Sequence, residues 1–376
     1  MAESTGPLRP SDSFAAYLEH FVPGSYLEAR AYNVALPSVP VRLDRNESPV
    51  DWPAHLKARV LEQVAASPWN RYSDPYASEE TALVANSHGL VPEAVLLGPG
   101  SNALLALALD AFTRRGNTVV SAWPSFDWYP GCCNYMGVRQ ETWPLSEALE
   151  YEPALLPALR PGTVVVFASP NNPVGNLLRR PVLAELLARH PGTLFLADEA
   201  YVEFAGESVL ELLADHGNLI VSRSLTKAAA AAGLRCAFMA GSPRLIELLR
   251  KKRAPFMLNH FSLAALRVLY TDPEVKAFVR EMQQRVISER ERLLEALRAL
   301  ETGGFRVVPS HANFVLVRWS DPAEAQRVYQ ELIDHGVRVA NFIRYPQLEG
   351  SLRVTVGTPA ENSTFLEALR AILRPR

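Results

Sequence analysis

Thr163-Val164-Val165-Val166-Phe167-Ala168 runs into Ser169-Pro170-Asn171-Asn172-Pro173, and Thr193-Leu194-Phe195-Leu196-Ala197 runs into Asp198-Glu199-Ala200-Tyr201. Each pair is an apolar run with little polar alternation, cut off by a polar, turn-forming segment. β-branched and aromatic residues without alternation mark a strand covered on both faces. Two further runs have the same form, Thr118 to Ala122 before Trp123-Pro124-Ser125-Phe126, and Asn218 to Ser222 before Arg223-Ser224-Leu225-Thr226-Lys227. Helical patterns alternate with these runs, so the spacing predicts a βαβ series and an α/β fold with a mostly parallel central sheet covered by helices. Ligands of open parallel sheets bind beyond the carboxyl ends of the strands, so the four polar segments are predicted to converge on one site.

The chain has 376 residues, more than the roughly 250–300 at which a single core stops growing, and a smaller second domain is expected. Val275, Phe278, Met282, Val286, Leu293 and Leu297 recur at helical spacing between Pro273 and Glu301, which predicts a long amphipathic helix linking the two domains. Beyond it, strand patterns near 314–317 and 352–356 and helical patterns at about 322–335 and 360–373 predict an α+β lobe. The Pro-rich opening up to about Pro40 reads as an arm or irregular segment. The expected division is an arm over 1–45 that contributes to the small domain, a large α/β domain over 46–270 and a small α+β domain over 271–376.

Composition narrows the function. Hydrophobic residues make up 48% and charged residues 21%, and 38 basic against 40 acidic side chains leave a net charge of −2. A near-neutral surface gives no electrostatic reason to bind nucleic acid or an anionic membrane. Met1 to Ser13 carries no apolar signal region, and no stretch reaches the roughly 18 apolar residues of a membrane span. Cys132, Cys133 and Cys236 form neither a disulfide framework nor a metal-ligand spacing, and the eight histidines show no zinc pattern. Gly98-Pro99-Gly100 lacks the third glycine of a dinucleotide loop. The expectation is a cytoplasmic enzyme of small-molecule chemistry without a metal.

Ser224, Thr226 and Lys227, with Gly233-Leu234-Arg235 behind them, place hydroxyls, an amine and a guanidinium at the end of a buried strand. A desolvated amine beside cations can form an imine with an aldehyde, while hydroxyls and a guanidinium suit a phosphate. The bland alternative is a helix start with a solvated lysine. Asp198 ends a strand too apolar for an unpaired carboxylate, so it either meets a cation or caps the next helix. Asn171 and Asn172 either bond their own backbone or serve a ligand.

Ser169 to Gly175, Asp198 to Tyr201, and Lys227 with Arg235 together resemble, in order and spacing, the fold-type-I pyridoxal-phosphate-dependent aminotransferases. The likeness covers nearly the whole chain and is closest to the histidinol-phosphate aminotransferase branch. Arg42 to Glu47, Arg71-Tyr72-Ser73-Asp74, and Leu352 to Pro359 with Glu361-Asn362 also carry it. The resemblance implies the fold-type-I transferase architecture, pyridoxal 5'-phosphate as cofactor, Lys227 as imine lysine and proton shuttle, and Asp198 as partner of the pyridinium nitrogen. It implies Asn172 and Tyr201 as hydrogen-bond donors to the phenolic oxygen and Phe126 as the ring stacked on the pyridine. The cofactor phosphate falls to Ser101 and Asn102 at a helix start, to Ser224, Thr226 and Arg235, and to Tyr72 from a neighbouring subunit, hence a homodimer with composite sites. Arg353 is implied as the substrate-anion arginine, with Asn172, Tyr26 and Arg344 near the substrate.

Four positions depart from the branch. Ala340 stands where a second arginine is usual after the glycine aligned with Gly336. Gly24 follows Pro23 where a tyrosine is favoured, with Tyr26 nearby. Ala228 to Ala232 replace a Phe-Gly-containing run, and Asn102-Ala103 an acidic pair. The implied reaction moves an amino group from an amine donor to 2-oxoglutarate by ping-pong exchange, with histidinol phosphate as donor. Alternatives are an aromatic or other general amino-acid aminotransferase, a decarboxylase of the phosphothreonine type, and a non-catalytic cofactor-binding protein.

Overall fold

The computed structural model describes residues 10–22, 24, 38–113, 116–301 and 304–374. Helix α1 (Pro10–Phe21) precedes strand β1 (Val41–Leu43), then α2 (Ala54–Ala66), α3 (Ser78–Ser87), β2 (Val95–Gly98), α4 (Ser101–Phe112), β3 (Thr118–Trp123), α5 (Trp128–Met136) and β4 (Arg139–Pro144). The chain continues through β5 (Val164–Ala168), α6 (Arg180–Arg189), β6 (Leu194–Asp198), β7 (Leu219–Ser224), the single turn α7 (Leu225–Ala228), β8 (Ala237–Gly241), α8 (Pro243–Lys252) and α9 (His260–Thr271). The long α10 (Pro273–Arg298) leads to β9 (Phe305–Val308), β10 (Phe314–Trp319), α11 (Pro322–Asp334), β11 (Val337–Asn341), β12 (Ser351–Thr355) and α12 (Pro359–Leu373).

Seven strands form the large sheet in the order β2-β8-β7-β6-β5-β3-β4. β4, β3, β5, β6 and β7 run parallel, while β8 is antiparallel to both of its neighbours. Period-two alternation sends Val165 and Phe167 into one core, and Val164, Val166 and Ala168 into another on the opposite face. That is why β5 tolerates no polar residue. Each buried Val or Phe contributes about 1.5–3 kcal/mol, and the two-sided burial holds the carboxyl ends of β3, β5, β6 and β7 in fixed relative positions.

The second sheet, β1-β11-β12-β10-β9, is antiparallel except that β1 pairs parallel with β11. Helix α10 joins the two bodies: Val275 and Val279 enter the core of the large sheet, whereas Met282, Val286, Leu293 and Leu297 enter that of the small one.

Sequence and structure differ at the opening. Residues 10–21 are helical and not irregular, because Phe14, Tyr17, Leu18 and Phe21 recur at i, i+3, i+4 and i+7, and Pro10 sits in the first turn, where its missing N–H costs nothing. Tyr26 lies outside the described residues.

Candidate active site

All four polar segments open on one cavity of about 480 Å³, within the usual size range of small-molecule sites. Its floor comes from the ends of β3, β5, β6 and β7. Its roof comes from the small sheet, through the 44–47 segment that follows β1, Phe342, and Arg353 of β12. Of the residues singled out by sequence, Ser101, Asn102, Phe126, Asn172, Asp198, Tyr201, Ser224, Thr226, Lys227, Arg235 and Arg353 line it. Tyr72 and Arg344 do not. Tyr72 is 83% exposed with its ring stacked on Phe256 at 4.5 Å, and Arg344 is exposed on the turn after β11.

Lys227 sits in α7, a single turn whose Ser224 cap accepts the Thr226 N–H at 3.2 Å. Beyond the lysine, Ala230 adopts the left-handed region at φ 51°, a conformation that suits glycine and costs alanine roughly 1 kcal/mol. The turn is held from outside: Trp52 Nε1 donates to the Ala229 carbonyl at 2.7 Å and Gln283 Nε2 to that of Ala228 at 3.1 Å. Lys227 Nζ donates to the Arg45 carbonyl at 2.9 Å. Burial, helped by the Arg353 and Arg235 charges and opposed by Glu47, lowers its pKa from 10.5 to about 8. A minority of the amine, far more than for an ordinary lysine, is therefore neutral near physiological pH, as a nucleophile or proton acceptor requires.

Asp198 is buried at the end of β6. Its Oδ2 accepts the Tyr129 hydroxyl at 2.7 Å and its Oδ1 the Ala200 N–H at 3.2 Å. Burial raises its pKa to about 6, with the two hydrogen bonds opposing the rise and Glu199 adding to it. Among the described residues it forms no ion pair, so the carboxylate remains matched to a cation that the chain does not provide. Tyr201, whose phenol burial also pushes up, accepts from Asn46 Nδ2 at 3.0 Å and meets Phe314 edge to face.

Arg353 Nη2 donates to the Asp44 carbonyl at 2.8 Å and Nη1 to Asn172 Oδ1. Its guanidinium lies over the Phe314 and Phe342 rings, 5.2 and 5.4 Å from their centroids, a cation–π setting that helps to hold the planar fork in place. Across the cavity, α4 opens without a side-chain cap on Gly100, at φ 100°. A Cβ on Gly100 would lie 2.3 Å from Arg235 Nη2. Glycine is thus what lets a guanidinium rest against a helix start whose first N–H groups have no intrahelical acceptor, which makes a cradle for an anion.

Sequence reasoning did not single out Tyr129, Asn46 or Asp44. Asn46 joins the two sheets: its N–H donates to Thr355 Oγ1 at 2.9 Å, Thr355 Oγ1 donates to Asn46 Oδ1 at 3.0 Å, and Asn313 Nδ2 donates to its carbonyl at 3.1 Å. The one signal available was a polar hexapeptide, Arg42 to Glu47, amid apolar surroundings. Tyr129 gave none, since its spacing from Asp198 is set by the tertiary fold.

The family model for aminotransferase class I and II matches residues 39–369. The chain is similar to the histidinol-phosphate aminotransferase of Aquifex aeolicus, 35% identical over 94% of this chain and 98% of that one. It is likewise similar to that of Thermococcus gammatolerans, 32% identical over 91% and 94%. Among solved structures, the histidinol-phosphate aminotransferase of Sinorhizobium meliloti in complex with pyridoxal-5'-phosphate superposes with a TM-score of 0.78 at 22% identity, over 93% of this chain and 99% of that one. That likeness speaks to the fold.

Proposed function

Because the chain belongs to the aminotransferase class I and II family, and is a pyridoxal-phosphate-dependent enzyme, we propose that it moves the amino group of histidinol phosphate to 2-oxoglutarate. The observation that carries this reading is the single cavity in which a pKa-lowered amine, a buried carboxylate without a cation, an anion cradle and a ring-clamped arginine face one another. Relatives named for this reaction span nearly the whole chain.

The residues present fit pyridoxal phosphate. Gly100 leaves the cradle open, and Ser101, Asn102, Ser224, Thr226 and Arg235 would hold the phosphate. Asp198 would meet the ring nitrogen, Asn172 and Tyr201 the phenolic oxygen, and Phe126 the ring face. When bound, the cofactor supplies an aldehyde carbon that condenses with amines and a protonated ring that stabilises negative charge at the substrate Cα. Lys227, neutral above about pH 8, would take the Cα proton and return it two atoms along, at the cofactor's C4′ carbon; in this structure its Nζ donates to the Arg45 carbonyl. Ionised Asp198 keeps its cationic partner protonated. Arg353 binds the anionic group of each substrate in turn, phosphate or carboxylate.

A second reading, an aromatic amino acid as donor, is favoured by Ala340, which leaves β11 without an arginine opposite Arg353, and by the Phe314 and Phe342 rings beside that guanidinium. The two are separated by assaying glutamate formation from 2-oxoglutarate with histidinol phosphate and with phenylalanine. Selectivity for the phosphate-bearing donor is expected, with Lys227→Ala reducing turnover about 10⁴-fold; turnover of phenylalanine alone overturns the assignment in favour of the second reading.

The same reading includes a cytoplasmic homodimer divided as arm, large and small domains at 45 and 270. Exposed Trp69, Tyr72 and Tyr76 beside Phe256 support a subunit face there, with Tyr72 serving the neighbouring copy's cradle. Buried free thiols at Cys132, Cys133 and Cys236 suit a reducing compartment, and no described helix is long and apolar enough to cross a membrane.

A further inference from the structure

Four cations line the cavity: Lys227, Arg235, Arg353 and Arg45. Three have positions that define their work. Lys227 is the reacting amine, Arg235 rests on Gly100 at the α4 start, and Arg353 is fixed between two rings with Asn172 and the Asp44 carbonyl as partners. A phosphate carries up to two negative charges and three acceptor oxygens, and a single guanidinium fork satisfies at most two of those oxygens. A second cation beside Arg353 is therefore needed if the donor bears a phosphate.

β11 does not supply it. Ala340 stands opposite Arg353 in the β11–β12 ladder with only a methyl group. Arg338, two residues earlier, is buried against Asp44, with Nε 3.0 Å from Oδ2 and Nη2 3.4 Å from Oδ1, and does not line the cavity. The neighbouring strand does. β1 runs parallel to β11 with Leu43 beside Val339, so the chain leaving β1 carries Asp44 and Arg45 along the Ala340 end of β11. Arg45 lines the cavity with its side chain 47% exposed, and its nearest carboxylate is Asp44 at 3.9 Å, which Arg338 already engages more closely. Its backbone is pinned: the Asp44 carbonyl accepts from Arg353, the Arg45 carbonyl from Lys227, and Asn46 is bonded to Tyr201 and Thr355. A fixed backbone that carries a half-exposed charged side chain at the cavity of the anion-binding arginine lowers the cost of ordering a grip on the substrate. Glu47 and Asp127 also line the cavity, and their negative charge makes an added cation more necessary for a dianionic donor.

We infer that Arg45 is a specificity-determining residue, gripping the phosphate of the amino donor together with Arg353 where Ala340 leaves the adjacent strand empty. This rests on the phosphate-bearing donor proposed above. The test uses the holoenzyme and its Arg45→Ala, Arg45→Lys and Arg45→Ala/Ala340→Arg variants, with KM and kcat measured for histidinol phosphate and for phenylalanine at fixed 2-oxoglutarate. Loss of one charge-assisted contact predicts a 10- to 100-fold rise in KM for histidinol phosphate with kcat little altered. The kcat/KM ratio over phenylalanine should fall by a similar factor, with partial recovery in Arg45→Lys and in the variant carrying Ala340→Arg. If wild type uses histidinol phosphate and Arg45→Ala leaves that ratio unchanged, Arg45 has no such role and the donor assignment stands. If wild type uses only carboxylate-bearing donors, both the assignment and the role of Arg45 are overturned.

Discussion

Asp198 ends β6 and Glu199 follows it directly; both are buried, yet successive side chains of an extended chain leave on opposite faces and enter different worlds. Glu199 is wholly enclosed and wholly matched: Arg223 Nε lies 3.0 Å from its Oε2, Ser208 Oγ donates at 2.8 Å, and the Val209 N–H donates to Oε1 at 2.6 Å. Asp198 has a phenol and one N–H. Burial pushes both carboxyls up, but only Glu199 has a guanidinium of its own. The difference separates a buried carboxylate matched by a guanidinium within the fold from one that lines the cavity with no described cation of its own.

The sharpest way to break the comparison is a pair of isosteric changes. Asp198→Asn is expected to lower kcat about 10³-fold, with the thermal midpoint of the cofactor-free protein unchanged or raised, because an unmatched buried charge is removed. Glu199→Gln is expected to do the reverse, keeping most of the turnover while costing about 2 kcal/mol in denaturant unfolding, since it removes the nearer of the two carboxylates that face Arg223 and leaves only Glu203, at 3.7 Å. Equal loss of activity in both variants would falsify the division.

Protonation sharpens it further. The folded pKa of Asp198, about 6, lies above its ordinary value of 3.8, so the native state binds the proton more tightly than the unfolded chain does. Stability from this group is present below about pH 4 and is lost as pH rises through 6, amounting to roughly 2–3 kcal/mol. Unfolding of the cofactor-free protein at a series of pH values should show this decline in wild type and not in Asp198→Asn; a common pH dependence in the two would remove the claim that the carboxylate is unmatched. The smallest effect belongs to Tyr129→Phe. Loss of one hydrogen bond to Asp198 is expected to cost about 1 kcal/mol and to move the midpoint of that decline to higher pH, and an unmoved midpoint would mean that the phenol is a packing group only.

Much of this is legible in the amino-acid sequence. The four parallel strands, the linking helix and the polar strand ends were readable because burial on two faces imposes a local composition, and because turn chemistry is local. Lys227 and Asp198 stood out as charges at the ends of apolar strands, whereas Arg353 was marked by the family resemblance alone. The antiparallel β8, the helix at 10–21 and the roles of Asn46, Tyr129 and Arg45 did not stand out. A three-residue strand such as β1 has too few positions to show a period, and its partner β11 lies far along the chain.

What the amino-acid sequence determined alone was therefore the layered α/β body and the kinds of chemical group at the ends of its strands, since both follow from hydrophobic periodicity and side-chain chemistry. Tertiary structure alone decided which of those groups share a cavity, that the small sheet roofs it through residues 44–47, and which of two neighbouring carboxylates meets a guanidinium. Contacts between residues hundreds of positions apart depend on how two sheets pack, and no local pattern encodes that distance.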